Sequence, residues 1–262
     1  MDFSIIITNY NTKGLIKGCL NSIFSSCGLG NFEIIVVDNN SGDGSAEMLN
    51  GDFNQRIKLI ANKKNIGFGP ANNRGAKIAK GEYLFFLNSD TVIKEDILTP
   101  LKEFFILNPT AGVISPRLIL SDGTNQKYAY GRFPGLVGLL ARNSGQESDK
   151  NKSGFTVDWV SGAALAIRKN VWEKIGGFDE KFFMYFEDID LCKRTKDINY
   201  KVAVLPSETV IHLGGQSLRD NKTRKKYYYL SQDYFYKKHY GKLKLVLLKI
   251  MRWPYKLIIL AR

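Results

Sequence analysis

Tyr83-Leu84-Phe85-Phe86-Leu87-Asn88-Ser89-Asp90-Thr91 is the stretch on which the reading of this 262-residue chain turns. Five consecutive apolar residues give way at once to Asn-Ser-Asp. A strand apolar on both faces belongs in the middle of a covered α/β sheet. In open α/β sheets, ligands sit in the crevice beyond the carboxyl ends of the strands. Asp90 therefore falls where oxygen ligands would hold a hard cation and its phosphate partner. On these nine residues alone a capped strand-to-helix turn explains the pattern as well, so the flanking sequence has to decide.

Upstream, Phe3–Thr8 is a β-branched run that breaks into Asn9-Tyr10-Asn11. Leu15, Cys19, Leu20 and Ile23 recur at helical spacing, and Phe32–Val37 is a second strand ending in Asp38-Asn39-Asn40-Ser41. A short helix near Ser45–Leu49, a strand at Ile57–Ala61 and a helix at Ala71–Ala79 lead back to the quoted stretch. Strand and helix alternating in this way specify a parallel, doubly wound sheet. Three strands ending in polar tips, at Thr8/Asn9, Asp38 and Asp90, are stronger evidence for a site than any one of them. Downstream, the pattern predicts a helix at Ile97–Leu107 and a strand at Gly112–Leu120 with Pro116 at an edge or bulge. It then predicts a mobile loop over Thr124–Ser153, a strand ending at Ile167, helices at Val171–Ile175 and Glu187–Arg194, and a last strand at Val202–Leu205.

The length suits one large α/β domain or one domain with an appendage. Net charge is +13, and it is unevenly placed. From Arg219 onward there are 13 Lys/Arg against Asp220 and Asp233, so this stretch carries +11 and the first 218 residues are nearly neutral. A basic end implies an anionic partner, whether a membrane surface, nucleic acid or a phosphorylated lipid. Three cysteines (Cys19, Cys27, Cys192) form no disulfide framework and point to a reducing, cytoplasmic compartment. The Phe3–Ile7 run is too short for a signal peptide, and no stretch reaches the ~18 apolar residues of a membrane span.

Taken in order, eight pieces resemble the family 2 glycosyltransferases of the GT-A fold, in particular their rhamnosyltransferase-like branch. They are Ile6–Asn11, Val36–Ser41, Asn65–Phe68, Leu87–Thr91, Ser161–Ala163, Gly177–Glu180, Phe186–Cys192, and His212 ahead of Gly214-Gly215-Gln216-Ser217. The resemblance covers residues 1–218 and implies a GT-A catalytic domain with a mostly parallel central sheet flanked by helices. Residues 219–262 form a basic, amphipathic, helical C-terminal extension outside it. The implied reaction is displacement of a nucleoside diphosphate from a sugar by an acceptor hydroxyl in cell-surface polysaccharide synthesis. The donor would be dTDP-rhamnose or a UDP-sugar, and the acceptor a saccharide or a lipid-linked saccharide.

The resemblance also assigns roles. Asp38 would accept from the pyrimidine N–H, with Thr8, Asn9, Asn11 and Asn40 near the nucleotide. Gly67, Phe68 and Asn72 would line the base or ribose pocket, and Asn88 and Ser89 would also bind the nucleotide. The family's usual Asp-x-Asp begins here with Asn88, which leaves Asp90 as the charged ligand of Mn²⁺ or Mg²⁺ and His212 as the second; imidazole suits Mn²⁺ better. Asp188 would take the acceptor proton with Glu187 beside it, and Trp159, Ser161, Gly162 and Ala163 would line the sugar or acceptor subsite. Each has a plainer reading: Asp38 as a turn residue, the acids of 187–190 as partners of a helix dipole, His212 as a buried histidine. Gly67-x-Gly69-x-x-Asn72 lacks the third glycine of a dinucleotide fingerprint and contains Pro70.

The tail reads in two ways. Basic residues around Leu243–Met251 and Leu257–Leu260, with Trp253, suit a helix lying on an anionic inner membrane face. The alternative is a helix pair packed on the catalytic domain or on a second subunit of a homodimer. A competing class for the chain is a non-catalytic nucleotide-sugar or nucleic-acid binder, but no nucleic-acid recognition module is present. A nucleotidylyltransferase would need a Gly-rich, basic loop after the first strand, which Thr8–Gly14 does not supply.

Overall fold

The computed structural model describes residues 1–27, 30–136, 154–214 and 220–260, with side chains through Trp253. The elements in chain order are β1 (Phe3–Asn9), α1 (Lys13–Ser26), β2 (Phe32–Asp38), α2 (Ser45–Phe53), β3 (Lys58–Ala61), α3 (Phe68–Ile78) and β4 (Tyr83–Asn88). After these come β5 (Thr91–Val92), α4 (Leu98–Leu107), β6 (Ala111–Ile119), β7 (Tyr130–Gly131), β8 (Phe155–Val157), β9 (Trp159–Val160) and β10 (Ala164–Arg168). The chain continues through α5 (Lys169–Ile175), α6 (Glu187–Asp197), β11 (Lys201–His212) and α7 (Asn221–Leu260).

The main sheet has the order β3-β2-β1-β4-β10-β6-β11-β5, with β8 also paired to β11. Six of its nine strands run the same way; β10, β5 and β8 run opposite. Both faces are covered, as the apolar run of β4 requires. Ile5, Ile7, Val36, Phe85 and Leu87 meet α1, α2 and α4 on one face through Cys19, Leu20, Leu49 and Leu101. Ile6, Ile35, Leu84 and Phe86 meet α3, α5 and α6 on the other through Ala71, Trp172 and Leu191. The register brings the polar tips level: Thr8 lies beside Asn88, and Asn9 beside Asp38.

Several expectations are corrected. The last strand does not stop at Leu205; it runs to His212, which is therefore a strand residue. Its pairing with β6 shifts between Leu205 and Thr209, opposite Pro116 and Arg117, so Pro116 marks a bulge inside the sheet and not an edge. Helix α3 begins at Phe68, three residues early, with Pro70 in its first turn where a missing N–H costs nothing. The Thr124–Ser153 stretch is not all loop: Asn125 bridges to Ile119, and Tyr130–Gly131 pairs with Trp159–Val160. Residues 137–153 of that stretch, Gly28, the 218/219 boundary and residues 215–217 lie outside the described residues.

Helix α7 breaks at Gly241, whose φ of 82° and ψ of 174° turn the chain into a second helical arm. The first arm packs on the catalytic unit through Phe235 and Tyr236, which join Phe182, Phe186 and, from the second arm, Leu248 in a third buried cluster. The tail is thus a helix pair packed on the catalytic unit. No helix among the described residues is long and apolar enough to cross a membrane.

Candidate active site

At the ends of β1 and β2 the polar residues are locked to one another. Asn9 is fully buried; its Oδ1 accepts from the Thr12 hydroxyl at 2.6 Å and its Nδ2 donates to Asp38 Oδ1 at 2.7 Å. Asp38 also accepts from the Ser41 hydroxyl at 2.7 Å and the Ser41 N–H at 2.9 Å. The Thr12 and Ser89 hydroxyls lie 2.8 Å apart, which ties this network to the residue after β4. Asn11 and Asn40 turn the chain out of the two strands in the left-handed region (φ 53° and 66°), which Asn tolerates. Asn11 Oδ1 caps the Gly42 N–H at 2.8 Å, while Asn40 is exposed.

Gly67 adopts a φ of 95°, and a Cβ there would lie 2.5 Å from the Phe183 carbonyl oxygen. Only glycine fits. This lets the Phe68 N–H reach that same carbonyl at 2.9 Å and the Asn39 amide reach the Gly67 carbonyl at 3.0 Å. One turn on, Asn72 is buried; its Nδ2 donates to the Phe68 carbonyl at 3.1 Å while its Oδ1 has no partner. The Thr8 hydroxyl, in register with Asn88, is also buried without a partner. Buried polar atoms are almost always paired, so orphans at the carboxyl end of a sheet are groups available to a ligand.

The second cluster sits at the tip of β4. The antiparallel pairing of β5 with β11 sets His212 opposite Thr91, and the Leu213 N–H donates to the Asp90 carbonyl at 2.9 Å. His212 Nε2 then lies 3.2 Å from Asp90 Oδ1 and 3.2 Å from Asn88 Nδ2, and all but a few per cent of both Asp90 and His212 is buried. The other ring nitrogen, Nδ1, lies 2.8 Å from Gln126 Oε1. An amide oxygen only accepts, so this contact puts a proton on Nδ1, and the Asn88 amide nitrogen, a donor, faces Nε2, which matches a lone pair there.

The third cluster is the first turn of α6, entered through Tyr185 and Phe186, both at positive φ. Glu187 is buried, and burial together with the neighbouring Asp188 and Asp190 charges pushes its carboxyl well above the usual carboxylate range. Its Oε2 has no partner. Asp188 is half-buried; its Oδ2 accepts from the Gly162 N–H and its Oδ1 from the Ile189 N–H, at 2.9 and 2.8 Å. Burial raises its carboxyl too. A Cβ on Gly162 would press on the Phe68 ring at 3.1 Å, so a bare backbone is what lets the N–H reach Asp188 there. The Asn88 N–H donates to the Ala163 carbonyl at 2.9 Å, so Gly162-Ala163 joins α6 to the tip of β4.

With that geometry in view, comparison with known proteins decides the family. Residues 4–176 match the model of Glycosyl transferase family 2. The chain belongs to that family. A second model, described as the N-terminal domain of galactosyltransferase, matches residues 142–214 and takes in the α6 acids and His212. Over 221 residues the chain is 30% identical to the low-salt glycan biosynthesis hexosyltransferase Agl10 of Haloferax volcanii, covering 80% of this chain and 67% of the relative. It is 26% identical to the N-acetylglucosaminyl-diphospho-decaprenol L-rhamnosyltransferase of Mycobacterium tuberculosis, covering 68% of this chain and 66% of that one. The E. coli rhamnosyltransferase WbbL is 27% identical over 56% of this chain and 60% of its own. The chain thus spans about two thirds of the length of these relatives or less, and it falls in their rhamnosyltransferase-like branch. S. aureus TarS aligns with a TM-score of 0.64 at 19% identity, over 82% of this chain and 37% of TarS. The Pyrobaculum calidifontis mannosyltransferase PcManGT, solved with GDP-Man and Mn²⁺, aligns at 0.62 and 16% identity, over 86% and 60%. At such identities these likenesses establish the GT-A fold.

In this family 2 glycosyltransferase the remaining expected residues are spread more widely. The Ser161 N–H donates to the Ala129 carbonyl at 2.7 Å, while Trp159 spends its indole N–H on the Arg132 carbonyl at 2.9 Å and lies over Gly131. Sequence reasoning missed Gln126, Thr12 and Ser41, and it missed His239. The last reaches back from α7 to place Nε2 2.7 Å from Asp190, which also accepts from Arg194 at 2.8 Å and Lys238 at 2.6 Å. Thr12 and Ser41 carried a signal, being hydroxyls just past two strand tips. Gln126 and His239 carried none.

Proposed function

We propose that this chain is an inverting, divalent-cation-dependent glycosyltransferase. It transfers a sugar from dTDP-rhamnose or a UDP-sugar to a hydroxyl of a saccharide or lipid-linked acceptor in surface-glycan synthesis. The observation that carries the reading is the pairing of a histidine lone pair with a carboxylate at the sheet's carboxyl end. His212 Nε2 and Asp90 Oδ1 lie 3.2 Å apart, with Nδ1 committed to Gln126 and the donor Asn88 Nδ2 facing Nε2, and a cation between nitrogen and carboxylate would satisfy both. A hydrogen-bond acceptor on Nδ1 is the usual way to hold a ligating imidazole.

The donor set fits Mn²⁺ or Mg²⁺. Among the described residues no group of three or more His, Cys, Asp or Glu is placed to hold a metal ion. Asp90 and His212, with Asn88 alongside, would therefore hold the ion together with the donor's own diphosphate oxygens, as such ions are commonly held. The ion would supply positive charge to the departing diphosphate. Complexes of relatives of the fold support a nucleotide donor: TarS is known with UDP and with UDP-GlcNAc. Thr8, Asn9, Asn11, Asp38, Asn40, Gly67, Phe68, Asn72 and Ser89 form the nucleotide side in this reading, with Asp38 fixed by Asn9 and Ser41 so that one oxygen still has capacity for a ring N–H.

On the acceptor side Asp188 takes the hydroxyl proton as that oxygen bonds to the anomeric carbon and the bond to the diphosphate breaks. One base and one displacement invert the centre. Glu187, deeper and more strongly raised, keeps its proton and spares Asp188 a second adjacent charge. Trp159, Ser161, Gly162 and Ala163 border the sugar. The test is calorimetric titration of UDP and dTDP with and without Mn²⁺, on the wild type and Asp90→Ala. Metal-dependent binding lost in Asp90→Ala is expected; no binding of either nucleotide under any metal condition overturns the proposal.

A further inference from the structure

The second arm of α7 is amphipathic in an unusual sense: it is apolar toward the protein and apolar away from it. Leu248 is buried and Leu245 packs beside it in the third cluster, while Arg252 turns inward to Gln232 and Asp233. On the opposite side Leu243, Val246, Leu247, Ile250 and Trp253 are 42–75% exposed. At ~100° per residue these five side chains occupy one arc of roughly 120°, centred directly away from the buried face. Lys242 and Lys249 border the arc on one side and Lys244 on the other, and all three are exposed.

We propose that this arm docks the enzyme on the surface of an anionic lipid bilayer, apolar arc down, with the flanking lysines among the headgroups. An apolar face rimmed by lysines and carrying a Trp is how a helix lies in an interface. The surrounding charge agrees, since residues from Arg219 onward carry +11 of the chain's +13. A second copy of this chain fits the face less well. Five side chains on three turns fall far short of the ~20–30 residues per side of a stable interface, and a two-fold contact would bring the lysine rims toward their own copies. Seating the arm on a bilayer gives the enzyme access to a lipid-linked acceptor; that last clause rests on the proposed function, whereas the lipid contact does not.

The experiment is co-sedimentation of the full chain with vesicles of phosphatidylcholine alone and of phosphatidylcholine with phosphatidylglycerol, at low and high salt. Binding to the anionic vesicles is expected, weakened by salt, and reduced at least about tenfold by the double variant Leu247→Glu/Ile250→Glu, because two charges replace buried apolar area. Light scattering of both proteins without lipid provides the second arm. Absent binding to anionic vesicles overturns the proposal, as does equal binding by the double variant. A wild-type dimer that the double variant dissolves assigns the face to a second copy and overturns it too. Nucleotide titration of the same variant stays at the wild-type value, so failure of the lipid contact and failure of the transferase reading are told apart.

Discussion

Asp38 and Glu187 are buried to nearly the same depth, 2% and 6% exposed, and their surroundings treat them in opposite ways. Asp38 accepts three hydrogen bonds from Asn9 and Ser41 and anchors the polar tips of two parallel strands. Glu187 has an orphan oxygen, two neighbouring acids and a carboxyl pushed far up. Asp190, three residues along the same helix, goes the other way again. Burial works against its charge, but His239, Arg194 and Lys238 outweigh it and hold the carboxyl below its ordinary range. A buried acid costs several kcal/mol unless it is paired. In the proposed function the acid with the orphan oxygen is the one that stands beside the base. Around Asp38 the polar groups are tied to one another, while Glu187 is left with an oxygen that no protein group meets.

The sharpest way to break this contrast is Asp188→Asn. Removing a general base costs ~10²–10⁴ in rate, and nucleotide binding on the other side of Gly162-Ala163 stays intact. Measuring kcat beside the UDP dissociation constant checks both halves. A variant that loses nucleotide affinity but keeps kcat would put Asp188 on the wrong side of the comparison. Next in size is Asp38→Ala, which strands the Asn9 amide and the Ser41 groups. Stability falls by about 2–4 kcal/mol in denaturant unfolding, and nucleotide binding weakens with it. An unchanged unfolding midpoint shows that the network is not structural.

How much of this could be read from the chain depends on the range over which the information is written. The strand tips were legible because an apolar run ending in Asn-Ser-Asp is a local pattern, and Thr8, Asn9, Asp38 and Asp90 do gather at one end of the sheet. The acids of α6 were legible as a pair, but their opposite fates were not, since Asp190 is rescued by His239 from a helix 49 residues away. Gln126 was hidden in a polar stretch with no periodicity and acquires meaning only through β11. That strand was cut short in the reading because Pro206-Ser207-Glu208 interrupts its apolar pattern, and those residues are where the pairing with β6 shifts register. Strand direction was hidden as well: nothing in Ala164–Arg168 marks β10 as antiparallel. In the tail, both helix faces are apolar, so periodicity could not choose between packing on the protein and facing outward.

His239→Ala tests the rescued acid. It removes one of the three partners of Asp190, a charge-assisted contact worth about 2 kcal/mol. Because Asp190 lies half a turn from Asp188, kcat falls several-fold while KM for the donor holds. His239→Gln, which can still donate, restores most of kcat. Equal loss in both variants, or a change in KM alone, argues against a positioning role.

The smallest effect is the most direct measure of the unpaired acid. Glu187→Gln keeps the shape and removes the charge. The folded pKa of Glu187 lies above its unfolded value because burial and then the Asp188 charge disfavour ionisation. Its contribution to stability is therefore fully present below the unfolded pKa of ~4.3 and is lost as pH rises through the folded value. The Gln variant has no such loss. It is accordingly more stable than the wild type at the top of the pH range, and the advantage shrinks to nothing as the pH drops toward 4. A paired carboxylate such as Asp190 behaves in the opposite sense, its stabilisation being present above its unfolded pKa and lost on acidification. Paired unfolding curves of the wild type and Glu187→Gln across that range read the sign. A Gln variant that is less stable at high pH than at low, relative to the wild type, would mean that Glu187 is held as a carboxylate by a partner, and the two buried acids would no longer differ in kind.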